Sequence, residues 1–160
     1  MTSQNQPSSL IRATAVDDAP AISEMIIRNV NHFHSDNYTA EELEIWRRGY
    51  SILEVEKQIQ NRQSFVLEYD ERIAASIQFD APEIKGFYVN PKYKGMGFGK
   101  RLFNFLLSSL SENGCNHFEL TSNKWTVGFY EKFDFEVIGE EVVYWEEHPF
   151  TEYRMIKKRT

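Results

Sequence analysis

The sequence predicts one α/β domain built on a mixed sheet, and three observations carry that expectation. Apolar residues recur at every second position in some stretches and every third or fourth in others, and the two kinds interleave along the chain. A length of 160 residues suits one sizeable core and is short for two ordinary domains. The segment YVNPKYKGMGFGKRLF, residues 88–103, leads from a strand through three glycines into a helix. A helix that follows one strand and precedes another joins them as parallel neighbours, with ligand expected at the carboxyl end of the first.

Residues 1–8 read as a flexible polar tail and residues 9–160 as the domain. Leu10–Thr14 (LIRAT) is a short strand, and Asp17 and Asp18 stand where a helix start favours acids. The helix that follows carries Ala21, Ile22, Met25, Ile26 and Val30 on one face, with Glu24 and Arg28 on the wet side. Thr39 with Glu42, and Ser51 with Glu54, repeat the spacing of a capping box, so two short helices are predicted in succession. SFVLEYD and ERIAASIQFD form an antiparallel hairpin turning at Asp70 and Glu71, and IKGFYV is a third strand. After the glycines, Leu102, Phe105, Leu106 and Leu110 face the sheet from a helix that stops near Asn113 and Gly114. CNHFELT is a strand, KWTVGFYEKF a short helix, and FEVIGEEVVYW with FTEYRMIKK a closing pair of strands.

Composition narrows the function. A formal net charge of −6 argues against binding nucleic acid phosphates, which requires concentrated Lys and Arg, and favours a cationic small substrate or a basic peptide. Cys115 is the single cysteine, which excludes an intrachain disulfide and fits a reducing compartment. The polar start lacks the pattern of a secretory signal, and no apolar run has the length of a membrane span, so a cytoplasmic protein without membrane contact is expected.

Gly95, Gly97 and Gly99 fall where a helix begins, and glycine there has an entropic cost. Backbone N–H groups at a helix N-terminus attract anions, and bare glycine lets a phosphate approach them closely; Lys94 and Lys100 would add positive charge at the rim. The segment is not a P-loop, because Arg101 follows Lys100 where Ser or Thr would hold magnesium, and its glycine spacing is not that of a dinucleotide-binding loop.

VNPKYKGMGFGKRLF resembles motif A of the GNAT superfamily, the Gcn5-related N-acetyltransferases, with Lys94, Gly97 and Gly99 at the three positions of its Arg/Gln-x-x-Gly-x-Gly/Ala pattern. NKWTVGFYEKFDFEVIG is similar to the family's second segment, matching at Asn123 and Tyr130; Lys94, Thr126 and Asp134 depart from the usual residues. The resemblance spans about Ile11 to Met155. It implies the GNAT fold: a mixed, mostly antiparallel sheet of six to seven strands with about four helices, splayed between its two parallel central strands.

It further implies acetyl-CoA as cosubstrate, with no metal. Lys94, Gly95, Met96, Gly97, Phe98, Gly99 and Lys100 would surround the pyrophosphate, the backbone of Phe87, Tyr88 and Val89 would pair with the pantetheine arm, and Asn123 would complete the cofactor site. Tyr130 matches the tyrosine that protonates the departing sulfur, and Glu83 falls at the general-base position of the histone-acetyltransferase branch. Phe118 occupies the base position of the ribosomal-protein branch. By the same resemblance, His34, Tyr38 and Trp46 line one side of an acceptor groove, and Tyr144, Trp145 and Phe150 the other. His32 and His34, two residues apart on a helix, diverge and do not make a zinc site. The implied activity is direct acetyl transfer, in a ternary complex, to a primary amine of a small molecule or peptide, by a monomer or homodimer. The alternatives are a non-catalytic acyl-CoA-binding sensor and an acetyltransferase of protein N-termini or lysines.

Overall fold

The computed structural model describes residues 8–158. The tail expected over residues 1–8 therefore lies, except for its last residue, outside the described residues. Seven strands and five α-helices follow in order: β1 (Ser9–Ala13), α1 (Ala19–His34), α2 (Ala40–Gly49), α3 (Ile52–Asn61), β2 (Gln63–Tyr69), β3 (Arg72–Asp80), β4 (Glu83–Val89), α4 (Phe98–Glu112), β5 (Glu119–Ser122), α5 (Val127–Glu131), β6 (Phe135–Trp145) and β7 (His148–Lys157). They form one sheet in the order β1-β2-β3-β4-β5-β7-β6. Every neighbouring pair is antiparallel except β4 and β5.

That one parallel pair sets the shape of the molecule. β4 and β5 meet in a single register pair, Glu83 opposite Glu119, next to a hydrogen bond of 2.9 Å from the Glu119 N–H to the Pro82 carbonyl. Beyond it the ladder ends, so the strands part towards Val89 and Ser122, and the sheet is splayed as the resemblance implies.

Local chemistry explains the element boundaries. Thr39 and Glu42 form the reciprocal capping box at α2, with the Thr39 N–H donating to Glu42 Oε1 at 2.9 Å and the Glu42 N–H to Thr39 Oγ1 at 3.1 Å. At α3 Ser51 accepts from the Glu54 N–H at 3.3 Å. Asp70 and Glu71 take φ of 53° and 60°, the left-handed geometry of a two-residue hairpin turn. The strand predicted over CNHFELT is shorter than expected. The Cys115 N–H bonds the Leu110 carbonyl at 2.9 Å and the Gly114 N–H that of Ser111 at 3.0 Å, which caps α4 and keeps these residues out of the sheet until Glu119.

Each face of the sheet carries its own core. On one, Leu102, Phe103, Leu106 and Leu110 of α4 pack on Ile77, Phe79, Leu120 and Met155. Phe105, expected inward, sits at the edge of the stripe against Phe65, its ring 5.2 Å away, and Phe103 and Leu107 fill the centre instead. On the other face Ile22, Met25, Ile26 and Val30 of α1 pack with Trp46, Val55 and Val66. Each such burial contributes roughly 1.5–3 kcal/mol, and the α4 core spans β3, β5 and β7, so it holds both sides of the splay in one body where the ladder is missing.

Candidate active site

The loop between β4 and α4 is anchored at both ends. Asn90 accepts a hydrogen bond from the Lys92 N–H at 3.0 Å, and Tyr93 is buried against Tyr69 and Phe98 at ring distances of 5.4 and 5.9 Å. The glycines divide the work. Gly95 and Gly97 have φ of 85° and 78°, a region L side chains rarely adopt, and they turn the chain so that α4 starts facing the splay. Gly99 is needed for space: a Cβ there would lie 3.0 Å from Val89 Cγ2 and 3.3 Å from Phe87 Cζ. Glycine thus lets α4 approach the end of β4 without displacing the Val89 and Phe87 side chains. The first-turn N–H groups of α4, which have no intrahelical partners, are thus presented beside exposed Lys94, Met96 and Lys100. Lys94 lies with its Nζ 5.6 Å from the Phe33 ring.

Phe87 and Val89 point towards α4, while Tyr88 points to the opposite face, where its hydroxyl accepts from Trp46 Nε1 at 2.9 Å. Asn29 of α1, which no sequence pattern singles out, donates from Nδ2 to the Val89 carbonyl at 2.7 Å and pins the last residue of β4.

Tyr130 on α5 packs its ring against Phe103 at 5.6 Å and Phe87 at 6.4 Å, next to the splay. Burial raises its phenol above the ordinary value, with a smaller contribution from the charge of Glu152. The hydroxyl therefore keeps its proton throughout the neutral range. Asn123, placed where β5 ends, spends its Oδ1 on its own turn, accepting from the Trp125 and Thr126 N–H groups at 3.0 and 3.1 Å. The Thr126 departure has a structural use, since its hydroxyl bonds Ser122 Oγ at 2.7 Å and Asn123 Oδ1 at 3.1 Å. Asp134 takes φ of 64°, a conformation aspartate tolerates.

Glu83 sits at the start of β4, held by Arg154 at 2.9 Å and Lys85 at 3.5 Å. Burial acts to raise its carboxyl, but the Arg154 hydrogen bond and the two cations leave it below the ordinary carboxylate value. Arg154 also binds Glu141 at 2.7 Å and reaches Glu119 at 3.5 Å.

The α1–α2 side and the β6–β7 hairpin supply an aromatic wall. His34, Tyr38 and Trp46 pack together with ring distances of 5.0–5.9 Å, Tyr38 meets Phe150 at 6.2 Å, and Trp46 meets Trp145 at 6.5 Å. Trp125 joins them at 5.4 Å from Tyr38. Tyr144 does not: strand alternation turns it to the other face, where it is 66% exposed. An ion pair from Arg48 to Glu146 at 3.0 Å and a hydrogen bond between His148 Nε2 and Glu42 Oε2 at 3.2 Å tie α2 to the hairpin. Among the described residues no group of three or more His, Cys, Asp or Glu is placed to hold a metal, and no helix is long and apolar enough to cross a membrane.

This fold recurs in known structures. The closely superimposable structures include a GCN5-related N-acetyltransferase from Rhodopseudomonas palustris, with a TM-score of 0.86 at 16% identity over 99% of both chains. The PaiA N-acetyltransferase of Thermoplasma acidophilum in complex with coenzyme A gives 0.77 at 20% identity, over 95% of this chain and 99% of that one. The ribosomal-protein-S18-alanine N-acetyltransferase of Escherichia coli gives 0.65 at 18%, over 94% and 93%. No curated protein sequence matches the chain. The family model described as Acetyltransferase (GNAT) domain matches residues 34–157, most of the described fold. The chain belongs to the GNAT acetyltransferase family.

Proposed function

We propose that the protein is an acetyl-CoA-dependent N-acetyltransferase that transfers acetyl directly to a primary amine of a small molecule or peptide. The observation that carries this reading is the β4–β5 splay, which opens next to the glycine loop and lies between Tyr130 on one side and the aromatic wall on the other. The residues present fit the cosubstrate: α4, seated closely on β4 through Gly99, offers unpaired N–H groups for a pyrophosphate, and the edge of β4 that faces β5 has no ladder partner beyond Glu83. Bound there, acetyl-CoA supplies an activated acyl group on a thiol leaving group.

The chain's own residues then divide the reaction. The backbone of Phe87, Tyr88 and Val89 orients the donor, and Lys94 and Lys100 add charge at the loop. Asn123 acts by shaping the turn into α5, which carries Tyr130. Tyr130, protonated at neutral pH, donates to the sulfur as it leaves; general acid assistance of this kind is worth ~10²–10⁴-fold. Glu83 is the base position carried over from the resemblance, and its ion pairs with Arg154 and Lys85 give it a low proton affinity for that task.

Release of thiol from acetyl-CoA, measured with a panel of amines, tests the reading. The panel holds an alkyl monoamine, an alkyl diamine, a peptide with a free N-terminus and a lysine-containing peptide. Turnover with one or more is expected. Tight acetyl-CoA binding with no turnover on any of them would instead favour a sensor of acyl-CoA.

A further inference from the structure

Glu152 is the one carboxylate of the acid cluster that Arg154 leaves free. On β7 it alternates onto the same face as Phe150 and Arg154, between the aromatic wall and the ion-pair cluster. Its backbone position follows directly from the registers. Tyr153 is opposite Ser122, the last residue of β5, so Glu152 lies just past the point where β5 ends and the splay is open. Arg154 is engaged with Glu83, Glu119 and Glu141, and among the described residues no Lys or Arg pairs with Glu152.

The groups within electrostatic reach of it come from several surrounding elements. Tyr38 follows α1, Tyr50 ends α2, Tyr130 is on α5, Thr121 is on β5 and Glu141 is its cross-strand partner on β6. Burial raises the phenols of Tyr38, Tyr50 and Tyr130, and the negative charge of Glu152 adds to each, which places one carboxylate within electrostatic reach of all three. Burial raises the Glu152 carboxyl in turn; the Glu141 charge adds to this, while nearby Thr121 and Arg154 oppose it. Glu83 shifts the other way. A carboxylate held by two cations resists taking a proton, whereas one that is half-buried and unpaired welcomes it.

We propose that Glu152 receives the acceptor's ammonium group and takes its proton, directly or through one water, with the aromatic wall of Tyr38, Trp46, Trp145 and Phe150 enclosing the rest of a cationic acceptor. The inference rests on the N-acetyltransferase reading. One N–H proton passes to the carboxylate and the neutral amine forms the C–N bond to the acetyl carbon. The C–S bond breaks, and the sulfur takes the Tyr130 proton. The second N–H proton replaces it on Tyr130, and the proton on Glu152 returns to water, so one proton is released per turnover.

The test compares wild type, Glu152→Gln and Glu83→Gln on the amine of the panel that wild type accepts best, from pH 6 to 9. With Glu152→Gln, kcat falls about 10²-fold at pH 7 and the deficit shrinks as the amine deprotonates by itself, roughly tenfold per pH unit for an alkyl or lysine amine of pKa about 10.4 and closing near pH 8 for a peptide N-terminus. Its acetyl-CoA affinity stays within about twofold, which a folding defect would not allow, and Glu152→Asp keeps the wild-type shape of the profile at a lower rate. A Glu152→Gln profile parallel to wild type, or the pH-dependent deficit appearing in Glu83→Gln instead, overturns the inference while leaving the acetyltransferase reading intact. Absence of turnover by wild type on every amine overturns both.

Discussion

The two sides of the splay are built from different materials. On the side we assign to the donor the groups on offer are backbone: N–H groups at the start of α4 and the open edge of β4, beside glycines that turn the chain. On the side we assign to the acceptor they are side chains brought from α1, α2, β4, β6 and β7, rings and carboxylates together. The contrast follows from what each must bind. A pyrophosphate needs many donors at close range and tolerates no intervening side chains, so the donor side is bare. A cationic amine is held by carboxylates and aromatic faces, and these reach the site only after the sheet has assembled.

Substitutions can separate the two sides. The largest effect is expected at their junction: Tyr130→Phe should lower turnover ~10²–10⁴-fold while acetyl-CoA affinity, measured by calorimetry, changes by less than about twofold. An equal loss in affinity would move Tyr130 to the donor side as a packing residue. Next comes Gly97→Val, which forces a β-branched residue to φ of 78°. A cost of roughly 1–2 kcal/mol or more should weaken acetyl-CoA binding by an order of magnitude or more, with the acceptor KM little altered.

Trp46→Phe removes the indole N–H that bonds the Tyr88 hydroxyl at 2.9 Å. About 1 kcal/mol is at stake, so the acceptor KM should rise about fivefold while acetyl-CoA binding is unchanged. Tyr144→Ala, on the exposed face, should change stability by less than about 0.5 kcal/mol and leave both substrates' constants alone. A rise in acceptor KM there would return Tyr144 to the wall.

The same contrast explains how much could be read in the sequence. Gly95, Gly97 and Gly99 sit within five residues of one another, and Asn123 and Tyr130 within eight, so local spacing was enough to find the loop and the α5 segment. Even there the division of labour is three-dimensional: a Cβ at Gly99 would crowd Val89 and Phe87, a clearance no spacing reveals. The β2–β3 turn, the α2 capping box, the Ser51 cap of α3 and the α4 stop are likewise local events and were legible, although Glu54 does not return the bond that would complete a second box. Glu152 and Asn29 were not. Asn29 matters through Val89, sixty positions away in the chain, and Glu152 through a register between β5 and β7. Nothing near either residue in the sequence signals it. Phe105, expected inward, and Tyr144, expected in the wall but turned outward, show a related limit, because one position of phase decides which face a side chain joins.

Glu83 offers a quantitative check on the same point. Its folded carboxyl lies below the unfolded value, so its ion pairs stabilise the protein above the ordinary glutamate range and are lost as pH falls through the folded value. The Tm difference between wild type and Glu83→Gln should therefore be present at pH 7 and diminish towards pH 3.

The most direct measurement of the central claim is a structure of the protein with bound coenzyme A. The pantetheine arm should lie in the β4–β5 opening, paired with the backbone of Tyr88 and Val89, with the pyrophosphate on the first turn of α4 and the sulfur within hydrogen-bond reach of the Tyr130 hydroxyl. Coenzyme A bound outside the splay, or a sulfur separated from Tyr130 by intervening side chains, would contradict it.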